Sequence, residues 1–299
     1  MPSFATSTTA PGVAPLAIAS LVIESMAYNF TGSNPELLAS ALDKKNGALT
    51  IQQAQKEKIC RNPDDIKLIV LHETGGENNN APSSPNSVHL MIRNDTSVVQ
   101  FADLVQLCNQ AKSFNNYSFG IEFVNNPYSN EEGDNNISIK WYINNQQPNW
   151  YYKVPSIEML ESLVSILIQI LEIEKESSLN IDKEWPQLMP HPDPKKTKDY
   201  PNLFLMSSPY TALPNFFSDN IKKFSGIYAH GVLYRPGGHA DGFFQSLYTW
   251  LRIGIGLDKE TAYTKSKLIA QQDTINYKHI YPNGSNNVLC FLDVSDVIK

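Results

Sequence analysis

The sequence predicts an α/β fold, a mixed central β-sheet flanked by helices. Short apolar runs of strand length, "IKLIVLH" (66–72), "SFGIEFVN" (118–125) and "FSGIYAH" (224–230), stand among turn-forming Asn, Asp, Pro and Gly. A long stretch, "SIEMLESLVSILIQILEIEKE" (156–176), has the helical period, with apolar positions wide enough for burial on more than one side. No internal repeat or long linker breaks this order, so one domain with decorations is the economical arrangement.

Residues 1–60 read as an N-terminal helical extension, with helical patterns at 16–27 and 35–43 and a helix start at Asn34-Pro35. The apolar run Leu16–Ile23 has no basic segment before it, Pro15 interrupts its front and Glu24 closes it. It is a poor secretory signal and too short to span a bilayer. The expected location is therefore the cytoplasm, or outside by a non-classical route. The main domain is expected over 61–257. "IKLIVLH" is a buried central strand, and "VHLMIRNDTSVVQF" holds two short strands about an Asn-Asp turn. "SFGIEFVN" is another strand, and "ISIKWYI" (137–143) alternates as a strand should. Ser156 after Pro155 caps the long helix. The Pro-rich stretch 185–215 reads as an irregular loop bordering a cleft, and "FSGIYAH" as the final core strand. "GFFQSLYTWLRIGIGL" and "KETAYTKSKLIAQQ" read as two helices, and "NYKHIYPNG" as a surface turn. Residues 258–299 are expected to supply a helix and strand packed on the domain.

A net charge of −6, with no Lys/Arg stripe carrying interleaved aromatics, argues against a nucleic-acid or anionic-membrane partner. Cys60, Cys108 and Cys290 are far apart and form no C-x-x-C pair, so neither a disulfide framework nor a cysteine zinc knuckle is supported.

The chemistry gathers at histidines. His72 and His230 each end a predicted buried strand, and a Gly-rich loop carrying Asp241 follows His230. Two imidazoles and a carboxylate from separate segments suit Zn²⁺ with a fourth position open to water. A second pair competes. "MPHPDPKKTKDYPNLF" offers His191 and Asp199, with Lys198 beside them. No apolar strand leads into His191, and Pro190 and Pro192 flank it, which favours the later pair. Glu73, next to His72, points to the opposite strand face and reads as a supporting residue.

"IVLHETGG", "SVHLMIRNDTSVVQF", "SFGIEFVN" and "GIYAHGVLYRPGGHADGFF" occur in an order that resembles the zinc-dependent N-acetylmuramoyl-L-alanine amidases of the type 2 amidase and peptidoglycan recognition protein superfamily, over residues 66–252. The resemblance implies that His72, His230 and Asp241 are the zinc ligands and that Glu122 is the catalytic general base. It implies a hydrolase cutting the amide between N-acetylmuramic acid and L-alanine, with peptidoglycan or a muropeptide as substrate. Relatives often carry Lys two residues before the final aspartate. Here His239 stands there, a second catalytic candidate whose charge would follow pH near its ordinary pKa of about 6.5. Their Asp-Pro-Gly is Asp241-Gly242 in this chain, and Gln110 stands where a Trp-His-Ala-type segment often brings a histidine. Gln110 and His89, which matches a strand histidine of the family, are candidate substrate contacts. Two other functions compete: a peptidoglycan-binding module of the same fold without catalysis, and a zinc amidase acting on another acyl-peptide.

Overall fold

The computed structural model describes residues 61, 65–75, 88–100, 102, 104, 107–129, 131–133, 136–138, 151–174, 187–207, 226–233, 241–280 and 286–298. The expected N-terminal helices and most of "ISIKWYI" lie outside the described residues, as does His239. In chain order the elements begin with strands β1 (Leu68–Glu73), β2 (Leu90–Ile92) and β3 (Val98–Gln100), then a 3₁₀ turn over Lys112–Tyr117 and β4 (Ser118–Phe123). Short strands β5 (Tyr128–Ser129), β6 (Asn136–Ser138) and β7 (Tyr151–Lys153) precede helix α1 (Ile157–Glu174). There follow β8 (Leu188–Met189), β9 (Leu203–Ser207), β10 (Gly226–Ala229), the single turn α2 (His230–Leu233) and α3 (Phe243–Thr249). A π-helical segment (Trp250–Ile255) continues α3, and α4 (Lys259–Ala270), β11 (Ile275–Ile280), β12 (Asn286–Asp293) and α5 (Ser295–Ile298) complete the order.

The main sheet runs β10-β1-β4-β2-β3, with only β3 antiparallel to its neighbour. Central parallel strands are covered on both faces, which is why β1 is buried along its whole length and reads as a continuous apolar run. The sequence expectation of a mixed sheet flanked by helices matches this architecture. Helix α3 packs on β1 and β10, and α1 packs on β2 and against α3. Ser156 caps α1, its Oγ accepting from Met159 N at 3.3 Å. Glu161 of α1 accepts from Arg252 Nε at 2.6 Å and Nη2 at 2.8 Å, and from Tyr248 Oη, which ties α1 to α3 and the π-helical segment. Among the described residues no helix is long and apolar enough to cross a membrane. Cys108 and Cys290 are free thiols.

Two expectations need correction. The stretch 185–215 is not wholly irregular: it contains β8 and β9, which join β11 and β12 in a four-stranded antiparallel sheet of order β11-β12-β9-β8. "NYKHIYPNG" is not a turn at its start, because residues 275–280 form β11, paired along its length with β12. The strand at β10 is therefore the last strand of the main sheet but not of the domain. Gln187 joins the two sheets: its Oε1 accepts from Ala229 N at 2.8 Å and its Nε2 donates to Leu205 O at 2.7 Å.

Arg61 anchors the near side of the main sheet. Its buried guanidinium donates to the carbonyls of Asn115 (2.7 Å), Ser118 and Leu104, and lies 3.2 Å from His89 Nε2. Replacing it with Leu strips several buried carbonyls of a charged donor, at roughly 1–3 kcal/mol for each group left unsatisfied. Arg61→Leu is expected to lower the unfolding free energy by about 3 kcal/mol, read from urea titration by circular dichroism; a loss below about 1 kcal/mol would refute the anchor.

Candidate metal centre

Register builds the site. In the parallel β1–β4 pair His72 is the Cα partner of Glu122, so both side chains leave the same face of the sheet. On the other side of β1, Leu71 pairs with Ala229, and His230 is the next residue of the chain. Glu122 and His72 therefore stand side by side on β4 and β1, and His230, the first residue of α2, follows directly on the end of β10. The two imidazole centroids are 4.4 Å apart. Asp241 arrives from the turn before α3. Its Oδ2 lies 2.6 Å from His230 Nδ1 and 3.8 Å from His72 Nδ1, and its Oδ1 accepts from Glu73 N.

Among the described residues, the His, Cys, Asp and Glu side chains that form a group able to hold a metal are His72, His230 and Asp241, with donor atoms within 4.8 Å of one another. Tetrahedral ligands at about 2.0–2.2 Å from zinc stand roughly 3.4 Å apart, so loading asks the widest donor pair to close and the 2.6 Å His230–Asp241 pair to open, each by about an ångström. Two imidazole nitrogens and one carboxylate oxygen suit a borderline-soft divalent ion. The His230 and Asp241 side chains each keep 17% of their surface exposed, against 7% for His72, which leaves an approach for a fourth ligand. His191 and Asp199 do not join this group. His191 is buried in the turn after β8, where its Nδ1 accepts from Asp193 N at 2.9 Å and its ring packs against Tyr200 and Tyr277.

The electrostatics are carboxylate-rich. Burial pushes Asp241 up, but the hydrogen bond from His230 and the nearby His72 imidazole hold its carboxyl well below the usual range. Burial pushes the Glu122 carboxyl up to about 7; His72 pulls it down, while Asp241 and Glu73 push it further up. Glu73, pointing to the other face as alternation requires, is likewise raised to about 7 by burial and then by Asp241. It is held by Tyr152 Oη at 2.7 Å and Asn125 Nδ2 at 2.8 Å, both donating to Oε1, and by Gly242 N, which donates to Oε2 at 3.3 Å. No local signal in the sequence marks Asn125 or Tyr152 for this work.

The two substrate candidates are placed inside the fold. His89 is fully buried, with Nδ1 accepting from Gly120 N at 3.0 Å, a bond that fastens β4 to the residue before β2. Gln110 is 8% exposed and its amide is shared between His72 and Ser118.

Compared with known families, residues 62–201 match the family model described as N-acetylmuramoyl-L-alanine amidase. The comparisons with curated proteins and with solved structures gave no match. The matched stretch contains His72, His89, Gln110 and Glu122 as well as the competing pair His191 and Asp199, and it ends before His230 and Asp241. What joins those two residues to His72, rather than His191 and Asp199, is the geometry of the fold.

Gly242 makes the ligand turn possible. It has φ of +75°, and a Cβ there would meet the Leu71 carbonyl oxygen at 1.9 Å. The left-handed backbone alone disfavours any other residue by roughly 1–2 kcal/mol, and the backbone clash adds to it. Gly242→Ala is expected to cost more than about 2 kcal/mol in denaturant unfolding and to shift Asp241; a stability loss under about 0.5 kcal/mol would contradict this.

Proposed function

From the match of residues 62–201 to the N-acetylmuramoyl-L-alanine amidase family model, we propose that the chain is a zinc-dependent hydrolase of the type 2 amidase superfamily. Its proposed reaction cuts the amide between the lactyl group of N-acetylmuramic acid and L-alanine, in peptidoglycan or its muropeptides. The observation that carries this reading is the in-register pair of Glu122 and His72, with His230 and Asp241 brought against His72.

His72, His230 and Asp241 would hold the ion through Nδ1, Nδ1 and Oδ2, the atoms that face one another. When bound, zinc supplies Lewis acidity and lowers the pKa of water to about 7. The remaining work falls to the chain. Glu122 stands beside His72, and a carboxyl whose pKa lies near 7 exchanges protons readily at neutral pH. In the proposed sequence Glu122 takes a proton from the attacking water as the new C–O bond forms. It then returns that proton to the amide nitrogen as the C–N bond breaks. His239, two positions before Asp241, is proposed to donate a hydrogen bond to the developing oxyanion.

Three substrates test the reading: intact sacculi, soluble muropeptides and free acyl-peptides, each scored for release of a new L-alanine amino terminus. Release from sacculi or muropeptides is expected. Tight retention on sacculi without release would make the chain a binding module, and release only from free acyl-peptides would make it an amidase of another specificity. Glu122→Gln is expected to lower kcat by roughly 10²–10⁴-fold while zinc content stays unchanged. Phenanthroline treatment is expected to abolish turnover and added zinc to restore it.

The acid limb of the pH profile follows from sign. Glu122 must be ionised to accept a proton, so activity falls as pH drops through its pKa. That pKa is raised to about 7 by burial in the metal-free chain, and a neighbouring dication favours the carboxylate. The limb is therefore expected below 7 in kcat/KM, and it should vanish in the residual activity of Glu122→Gln.

A further inference from the structure

We propose that Gln110 is the positioning residue for His72, fixing its ring so that Nε2 carries the proton and Nδ1 is the bare nitrogen turned toward Asp241 and His230. The proposal rests on the metal reading above and goes beyond it, since it concerns a residue outside the ligand set.

The direction of the relay follows from its far end. The Phe114 carbonyl can only accept, so Ser118 Oγ, 2.9 Å away, must donate to it. Having spent its proton there, Ser118 Oγ accepts from Gln110 Nε2 at 2.9 Å. This places the amide nitrogen of Gln110 toward Ser118 and its oxygen toward His72 Nε2, 3.0 Å away. An amide oxygen cannot donate, so His72 must, and its proton sits on Nε2. The remaining lone pair is on Nδ1, the atom that faces Asp241 Oδ2. Ligand histidines are commonly held this way by a carboxylate, a backbone carbonyl or water; here a side-chain amide takes that place.

The sheet makes room for the amide. Ser118, Gly120 and Glu122 share one face of β4, in line with Leu68, Val70 and His72 of β1. A Cβ at Gly120 would come 1.9 Å from Gln110 Oε1 and 3.4 Å from His72 Cδ2. The missing side chain at Gly120 is the space through which Gln110 reaches His72. Since the displaced atom is the tip of a flexible side chain, Gly120→Ala can fold with the amide pushed aside.

The test uses the full chain and two readouts. Zinc affinity is measured by competition with a chromophoric chelator, and the His72 tautomer of the metal-free chain by ¹⁵N-resolved NMR. Gln110→Leu and Gly120→Ala are expected to weaken zinc binding roughly 10–100-fold and to lose the fixed Nε2–H tautomer. Gln110→Glu, which keeps an acceptor at His72, is expected to bind within about threefold of the parent or more tightly. Equal zinc affinity in Gln110→Leu and the parent, or a parent His72 protonated on Nδ1, overturns the proposal. So does Gln110→Glu weakened as much as Gln110→Leu, which would mark a packing role only. A parent chain that takes up no zinc sinks the metal reading instead, and the tautomer then judges the relay by itself.

Discussion

The site depends on the in-register parallel pairing of β10, β1 and β4. This alignment puts Glu122 and His72 at one level and on one face of the sheet, and it brings the end of β10, where His230 follows, alongside them. A slip of one residue between β1 and β4 would send His72 and Glu122 to opposite faces. The register is held by buried apolar side chains on both sides of the strands, so the core and the chemistry share one constraint. Main-chain contacts at the strand ends reinforce it: Lys67 N donates to Tyr117 O, Gly226 N to Lys67 O, and Thr74 N to Phe123 O.

That alignment also concentrates charge. Beyond burial, Asp241 raises the carboxyls of Glu73 and Glu122, and Glu73 raises Glu122 further. Gathering carboxylates in a buried place is unfavourable unless protons or a cation accompany them. A dication between His72, His230 and Asp241 would relieve this. Burial first, and then the neighbouring carboxylates, keep Glu122 near the pKa a general base needs. Glu73 occupies the opposite face and works mechanically: its main-chain N–H holds Asp241, and its carboxylate holds Gly242.

The parts of the fold that were legible in the sequence are those where one physical signal dominates. β1 and β4 announce themselves as apolar runs because they are buried on both faces. Helix α1 does so through its period and its Ser156 cap. His72 and His230 stood out because each ends such a run. β9 was hidden because "LFLM" follows closely on Tyr200-Pro201 in a Pro-rich neighbourhood, and β11 because "INYKHI" mixes polar and apolar residues as a partly exposed edge strand does. The roles of Arg61, Gln110 and Gln187 have no sequence pattern at all. Each comes from an amide or guanidinium meeting residues far away in the chain, which only tertiary structure specifies. Gln110 is instructive, since its amide bridges His72 and Ser118, a link that no local pattern announces.

Asp241 and the residue whose amide holds it, Glu73, are 168 positions apart. Any ion gripped there would join the two ends of a circuit that runs through the main sheet and takes in β8 and β9 of the second sheet, stitched to β10 by Gln187. Loading would then favour the native state by mass action, growing with the free ion concentration relative to its dissociation constant. A shortened polypeptide ending before residue 230 would keep His72 with no partner to share it. Ion uptake would thus serve as a readout of whether the entire topology has closed.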